Sequence, residues 1–189
     1  MNGAGVVDVA IAGAGIIGLS LALELRERGL SVTVMERGQA MSSASWAAGG
    51  MLAVNDPQNP AELMPLCVRS DELYPAYLQR IESLSRHRVP MRTDRTLQEV
   101  TQASHSNQHA TGAEIARLAP GLNPTDHRFV WLEEGSVDPN DLREALPSAL
   151  RAAGGNLLEA TEVLGANSVG DGVVVHTKHG QVSAAMLVN

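Results

Sequence analysis

The stretch VAIAGAGIIG, residues 9–18, decides the fold of this 189-residue chain. Its last six residues follow the pattern G-x-G-x-x-G, in which each glycine has a mechanical role. Gly13 permits a tight turn out of a strand, Gly15 lets the backbone approach a pyrophosphate, and Gly18 lets a helix pack closely on the sheet. The hexapeptide alone is a weak signal, so the interpretation depends on its surroundings.

The surroundings have the pattern of a strand, a helix and a second strand. Residues 6–12 form a short apolar run of the kind that a buried parallel strand shows. Residues 16–28 are helical in pattern, and Gly29 stands where a helix-ending glycine belongs. Residues 31–35 are rich in β-forming residues. We therefore predict a βαβ unit. Its helix carries one apolar stripe, formed by Ile17, Leu21, Ala22 and Leu25.

Glu36 closes the second predicted strand, 18 residues after Gly18. A carboxylate at this position accepts hydrogen bonds from the ribose hydroxyls of a dinucleotide. It also repels a 2′-phosphate, which disfavours NADP. The alternative is a glycine-rich turn in an ordinary α/β domain, with Glu36 merely solvated.

Composition and charge narrow the class of protein. With 14 basic and 21 acidic residues the formal net charge is −7, which argues against a nucleic-acid-binding surface. The single cysteine, Cys67, excludes an intramolecular disulfide and favours a reducing, cytoplasmic setting. The longest uncharged stretch, residues 9–23, is shorter than the roughly 20 residues of a membrane span, and no targeting segment is visible.

The remainder of the chain predicts further elements. Residues 37–58 are rich in small and polar residues and predict a loop with one short helix near residues 44–52. A helix is expected from Asn59-Pro60 to about Ser85, with kinks or breaks at Pro65 and Pro75. The other expected elements are strands at 95–100 and 129–132, a short helix capped by Thr111 and Glu114 after a polar loop at 102–112, and a helix from Asp138 to before Gly154. They are followed by β runs at 156–164, 173–177 and 182–188, with turns at 170–172 and 179–180.

These elements predict an α/β, Rossmann-like domain with a parallel sheet, followed by a β-rich segment. We expect one domain over residues 1–189, and its parts are the βαβ core at 6–36, a loop at 37–58, a helical insertion at 59–137, and a return helix with strands at 138–189.

Three stretches together resemble the D-amino-acid-oxidase-like flavoproteins, and within them the glycine oxidases of thiamine biosynthesis. They are residues 9–18 with Glu36-Arg37, the segment SASWAAGGML at 43–52, and GSVDP at 135–139. The second is the most specific. The resemblance covers about the N-terminal half of such proteins, and it implies that the chain is an incomplete member of a two-domain fold with FAD as its cofactor.

The resemblance also implies which residues meet FAD. The turn Gly13, Ala14, Gly15 and Gly18 would hold the pyrophosphate with the backbone of Ile16 and Ile17, while Glu36 and Arg37 would hold the adenosine ribose, Val163 the adenine, and Ala44, Ser45, Gly49, Gly50 and Met51 the flavin side. Gly49 and Gly50 would let the main chain lie against a flat ring. The structural alternative for residues 43–52 is a small-residue helix packed on the sheet.

The implied activity is oxidation of glycine or another small amino acid or amine to an imine, with formation of peroxide. Because the cofactor carries out hydride transfer, no catalytic side chain is expected in this chain. No metal site is expected either, since the single cysteine cannot form a zinc site of cysteine pairs. His105 and His109 are spaced like helical metal ligands, but their polar surroundings favour a solvated loop. The resemblance suggests self-association, with a small-molecule substrate and without nucleic acid or membrane.

Two alternatives remain open. The chain stops at Asn189, at the end of an apolar strand, which is compatible with a non-catalytic, truncated FAD-binding fragment. An NAD-dependent dehydrogenase is the other, because Glu36 suits NAD as well as FAD. The segment 43–52 argues against it, since a nicotinamide domain usually continues directly into another βα unit.

Overall fold

A computed structural model of the chain describes residues 5–100, 109–122 and 128–189. The described residues form two units, the first within the ranges 1–49, 76–89 and 138–189 and the second within 50–75 and 90–137. The elements within the described residues are, in chain order, β1 (Val7–Ala12), α1 (Ile16–Glu27), β2 (Val32–Met35), α2 (Met64–Ser85), β3 (Thr96–Val100), α3 (Gly112–Leu118), β4 (Arg128–Leu132), α4 (Pro139–Ala152), β5 (Asn156–Leu158), β6 (Val163–Val169), β7 (Gly172–Thr177) and β8 (Gly180–Val188).

The first unit is built on a six-stranded sheet with the order β5-β2-β1-β8-β7-β6. The first four strands in this order are parallel, and the last two pairings are antiparallel. Strand β1 lies between two parallel neighbours, so that Val9 pairs with both Val32 and Met186. Because the strand is covered on its faces and edges, its centre is continuously apolar and buried. The predicted Rossmann-like α/β class is confirmed.

Two helices of the first unit pack against each other, α1 and α4. Helix α1 buries Leu19, Ala22 and Leu23, whereas Ile17 is 82 % exposed. The predicted apolar stripe was therefore wrong for Ile17. The sequence of α1 is apolar on several sides, so spacing alone did not select the face that meets the sheet. The predicted end of this helix is confirmed by Gly29, which follows it with a φ of +82°.

The β-rich end of the first unit differs from the prediction in two respects, one of which is that β6 continues to Val169, beyond the predicted end of its run at residue 164. The run at 156–164 is two strands, β5 and β6, separated by a turn in which Ala160 has a φ of +51°. In this turn Ala160 N–H donates to Gly38 O at 2.9 Å and Thr161 N–H donates to Glu36 O at 2.7 Å. These bonds redirect the chain away from β5, a long-range effect that the local pattern does not contain. Both predicted turns, at 170–172 and 179–180, are confirmed.

The second unit contains the antiparallel pair β3 and β4, in which Gln98 lies opposite Val130. Both strands were predicted. Helix α3 begins with the predicted cap, where Thr111 and Glu114 bond reciprocally to each other's backbone N–H. The predicted polar loop lies outside the described residues over 102–108.

One expectation for residues 37–85 was wrong, and of the kinks or breaks expected at Pro65 and Pro75 no break is found. Residues 44–52 contain no helix and only a turn, in which Trp46 and Ala47 N–H donate to Ser43 O. Gly49 and Gly50 come shortly after this turn. Because glycine loses more backbone entropy than other residues when it becomes helical, they disfavour continuation of the turn into a helix. Helix α2 runs unbroken through Pro75 after a short 3-10 turn, and Pro65 sits in its first turn, where a missing N–H is tolerated.

Candidate nucleotide-binding site

The glycine turn between β1 and α1 has the geometry that its sequence predicts. Gly13 has a φ of +103°, a conformation that favours glycine, and its N–H donates to Met35 O at 2.7 Å. A Cβ atom added at Gly18 would lie 2.1 Å from Gly13 O. Helix α1 can therefore approach the turn only because residue 18 has no side chain.

The N-terminus of α1 is contacted by the hydroxyl of Ser45. Gly15 is the N-cap residue and has no side chain to cap the helix. Ile16 N–H instead donates to Ser45 Oγ at 3.0 Å, and a Cβ at Gly15 would lie 3.2 Å from the same oxygen. The first N–H groups of a helix lack partners within the helix and form its positive end, which suits an anion. A pyrophosphate fits this donor set.

The Glu36 carboxylate is held by two backbone N–H groups. Its Oε2 accepts from Ala14 N–H at 2.9 Å, and its Oε1 accepts from Gly38 N–H at 2.9 Å. The carboxylate is therefore fixed beside the glycine turn, and the alternative of a merely solvated Glu36 was wrong. Each carboxylate oxygen has a further lone pair for a hydroxyl donor. The neighbouring Arg37 is exposed.

The turn at residues 43–47 is tied to α4 as well as to α1. Trp46 Nε1–H donates to Asn140 Oδ1 at 3.0 Å, and Asn140 N–H donates to Asp138 Oδ1 at 2.9 Å at the start of α4. Trp46 remains 51 % exposed, and Ala44 and Gly49 are exposed. The sequence identified Asp138 as the cap of α4 but missed Asn140, because its partner lies 94 residues away.

Val163 is brought near the end of β2 by the turn that precedes it. It is the first residue of β6, is half-buried and pairs with Thr177. Two residues earlier, Thr161 N–H donates to Glu36 O. The carboxylate of Glu159 supports the same region, since it accepts from Ala40 N–H at 2.9 Å and from the Arg151 guanidinium at 2.8 Å. Sequence reasoning missed Glu159 and Thr161, whose short turn carries no distinctive motif.

Gly50 and Met51 belong to the second unit, where they face residues 135–137. Gly50, with a φ of +72°, accepts from Val137 N–H through its carbonyl oxygen at 2.9 Å. Met51 forms an antiparallel bridge with Ser136, and 57 % of the surface of Met51 is exposed. The first unit thus gathers the turn 13–18, Glu36, Ser45 and the start of β6, while Gly50 and Met51 are described in the second unit.

Among the described residues, no group of three or more His, Cys, Asp or Glu side chains is placed to hold a metal ion. His109 forms an isolated bridge with Val130 and lies outside the helices, while His105 falls outside the described part of the chain. In the ranges that the structure describes, no helix is both long and apolar enough to cross a bilayer.

A parallel sheet, a glycine turn that opens a helix, and a fixed carboxylate at the end of the next strand define a dinucleotide-binding α/β protein. Residues 8–189 match the DAO family, described as "FAD dependent oxidoreductase". The chain belongs to this family, and FAD is therefore its cofactor. The predicted family and cofactor are confirmed, and with them FAD is favoured over NAD.

The relatives include the bifunctional protein ThiO/ThiG of Synechocystis sp., which is 32 % identical over 95 % of this chain and 27 % of its own length. The glycine oxidase of Geobacillus kaustophilus is 28 % identical over 96 % of this chain and 53 % of its own length. The crystal structure of that glycine oxidase matches with a TM-score of 0.85 over 96 % of this chain and 54 % of the crystallised chain. The chain thus spans about half the length of the glycine oxidase.

Proposed function

We propose that a protein containing this chain is an FAD-dependent oxidase of glycine or another small amino acid or amine, with a role in thiamine biosynthesis. The observation that carries the nucleotide part is the Glu36 carboxylate fixed between Ala14 and Gly38 N–H groups beside the start of α1. The names of the relatives, glycine oxidase and ThiO/ThiG, support the substrate and the pathway.

The residues present fit FAD in its nucleotide half. We propose that the backbone of Ile16 and Ile17, at the positive end of α1, binds the pyrophosphate, and that the glycine turn of residues 13–18 allows its close approach. Glu36 and Arg37 bind the adenosine ribose, and the backbone of Val163 meets the adenine. The proposed flavin-side residues are Ala44, Ser45, Gly49, Gly50 and Met51.

Ser45 has a defined task in this proposal. Its hydroxyl accepts from Ile16 N–H, so its own hydrogen remains available as a donor to a phosphate oxygen. The bond also holds the 43–47 turn against the end of the helix, while Trp46 and Asn140 hold it from the other side. The protein thereby orients the cofactor before the substrate arrives, which lowers the entropic cost of reaction.

When bound, FAD supplies the two-electron chemistry of an oxidase, taking a hydride from the substrate α-carbon and passing the electrons to oxygen to give peroxide. The resulting imine is hydrolysed by water. We nominate no catalytic side chain among the residues of this chain, because hydride transfer from a neutral amine requires no general base.

The test is anaerobic mixing of the FAD-loaded protein with glycine, followed by admission of oxygen. We expect bleaching of the flavin absorbance with glycine or a small amine, and one peroxide for each imine after oxygen is admitted. An FAD-loaded protein that stays oxidised with every small amino acid and amine tried would contradict the proposed activity.

A further inference from the structure

Residues 50–55 run alongside residues 133–137 in the second unit, joined by backbone bonds at one end and side-chain bonds at the other. Val137 N–H donates to Gly50 O at 2.9 Å, and Leu52 N–H donates to Gly135 O at 2.9 Å. At the other end of this segment, Asn55 makes the contacts with residues 133 and 134. We call residues 50–55 the strap.

The far end of the strap is held by two neighbouring glutamates in different ways. Asn55 N–H donates to the carboxylate of Glu134 (Oε1) at 2.8 Å, and the Asn55 side chain donates to the backbone oxygen of Glu133 at 2.8 Å. Only Glu134 therefore uses its side chain, and only one of the two contacts would be lost by truncating a glutamate.

Glu134 is buried, with 2 % of its surface exposed. Burial raises the pKa of its carboxyl group, and the nearby carboxylates of Asp56 and Asp71 act in the same direction, while hydrogen bonds from the backbone N–H groups of Asn55 and Asp56 oppose the rise. Burial of a carboxylate is costly unless N–H donors compensate it. An apolar residue would fill the same space without this cost, but it would not accept a bond from Asn55 and so would leave the strap end untethered.

We propose that Glu134 is a positioning residue that holds the strap through Asn55 and thereby fixes, within the second unit, the segment that carries Gly50 and Met51. The inference rests on the proposed function, in which these two residues lie on the flavin side. Glu134 does not touch the cofactor in this account; it acts through the strap.

Three variants of the full chain test the inference. Glu134→Ala removes the acceptor, Glu134→Gln keeps a neutral one, and Glu133→Ala changes an exposed neighbour whose contact to Asn55 is made by the backbone. The first readout needs no cofactor: it is hydrogen exchange of the Asn55 and Leu52 amides by NMR. We expect Glu134→Ala to lower Asn55 protection about 10- to 100-fold, the range for a hydrogen bond to a charged group. Glu134→Gln should lose less of the Asn55 protection, and Glu133→Ala should protect Asn55 as well as the wild type does.

A pH titration of the same spectra separates positioning from bulk stability. The Asn55 amide proton shift should contain a component that follows the protonation of Glu134 in the wild type, and this component should be absent in Glu134→Gln. All other acidic groups are present in both proteins, so the difference between the two curves reports on Glu134. If Glu134→Ala fails to fold, the wild-type and Glu134→Gln titrations still decide the matter, because identical curves would overturn the tether.

The second readout is FAD affinity by flavin fluorescence. We expect weaker binding for Glu134→Ala, partial recovery for Glu134→Gln and no change for Glu133→Ala. A wild type that holds FAD no more tightly than Glu134→Ala would overturn the flavin part of the inference. A wild type that holds no FAD would overturn the proposed function as well. The hydrogen exchange of the Asn55 amide tests the bond between Asn55 and Glu134 independently of FAD.

Discussion

The carboxylate of Glu36 and the backbone N–H of Ala14 form a hydrogen bond of 2.9 Å across 22 residues of sequence. The bond joins the end of β2 to the glycine turn that follows β1. Ala14 is fully buried, so its N–H has no access to water and depends on this acceptor. Glu36 thus has two tasks in our account, to stabilise the turn and to present oxygen atoms to a ribose.

Replacing Glu36 with alanine should weaken both folding and FAD binding. The buried Ala14 N–H would be left without its acceptor, at a cost of about 1–3 kcal/mol in the free energy of unfolding. FAD affinity should fall by about 1.5–3 kcal/mol through loss of hydrogen bonds to a charged group. Chemical denaturation and fluorescence titration measure the two effects. Glu162→Ala, at an exposed site in the same unit, is the control and should leave both unchanged.

Gly15→Val should abolish FAD binding while the chain stays folded. The new Cβ would lie 3.2 Å from Ser45 Oγ, a side-chain atom that can shift by a few tenths of an ångström. The branched methyl groups would then cover the approach to the Ile16 N–H. Circular dichroism should report an intact fold and titration with FAD should report no binding. Tight FAD binding by this variant would mean that the pyrophosphate lies elsewhere.

Gly18→Ala should destabilise the first unit strongly. Its methyl group would lie 2.1 Å from the carbonyl oxygen of Gly13, which is backbone and cannot move without displacing the turn. Overpacking of this kind costs about 1–3 kcal/mol or more. The matched control is Gly49→Ala, because a Cβ there meets no atom within 4 Å. Equal unfolding free energies for the two variants would refute the close approach of α1 to the turn.

The stability of the second unit should depend on the protonation of Glu134. Its pKa is raised on folding, with burial as the first cause. The folded protein therefore holds this proton to a higher pH than the unfolded chain does. The contribution of this proton to the free energy of unfolding is fully favourable below the ordinary glutamate pKa. It declines as the pH rises to the pKa of Glu134 in the folded protein.

The comparison is between wild type and Glu134→Gln, unfolded with denaturant at a series of pH values between about 4 and 7. We expect the unfolding free energy of the wild type, relative to the variant, to increase as the pH falls. A difference that is constant over this range would show that the glutamate titrates as it does in the unfolded chain.

The fold could be predicted well wherever the pattern was local. The glycine turn, the first helix with its closing Gly29, and the Asp138-Pro139 start of α4 depend on neighbouring residues, and all were predicted correctly. One error arose where distant contacts decide. The run at 156–164 divides because Thr161 and Ala160 bond to Glu36 and Gly38, and no feature of the run itself indicates those partners.

In the candidate site, too, residues in local motifs were predicted and residues with distant partners were missed. Glu36 was predicted from its distance to the glycines, and the resemblance supplied Ser45, whose hydroxyl does lie against the start of α1. Asn140, Glu159 and Glu134 were missed, because each acts by holding a loop far away in sequence. Single polar residues with long-range partners carry no motif, so a structure is needed to find them.

Equilibrium dialysis of the wild-type chain and Gly15→Val against FAD, and in parallel against NAD, tests the central claim most directly. After removal of free nucleotide, we predict that the wild type retains the flavin absorbance band, that Gly15→Val loses it while remaining folded, and that NAD is not retained. The account is contradicted if both proteins retain FAD equally, or if the wild type retains NAD in preference to FAD.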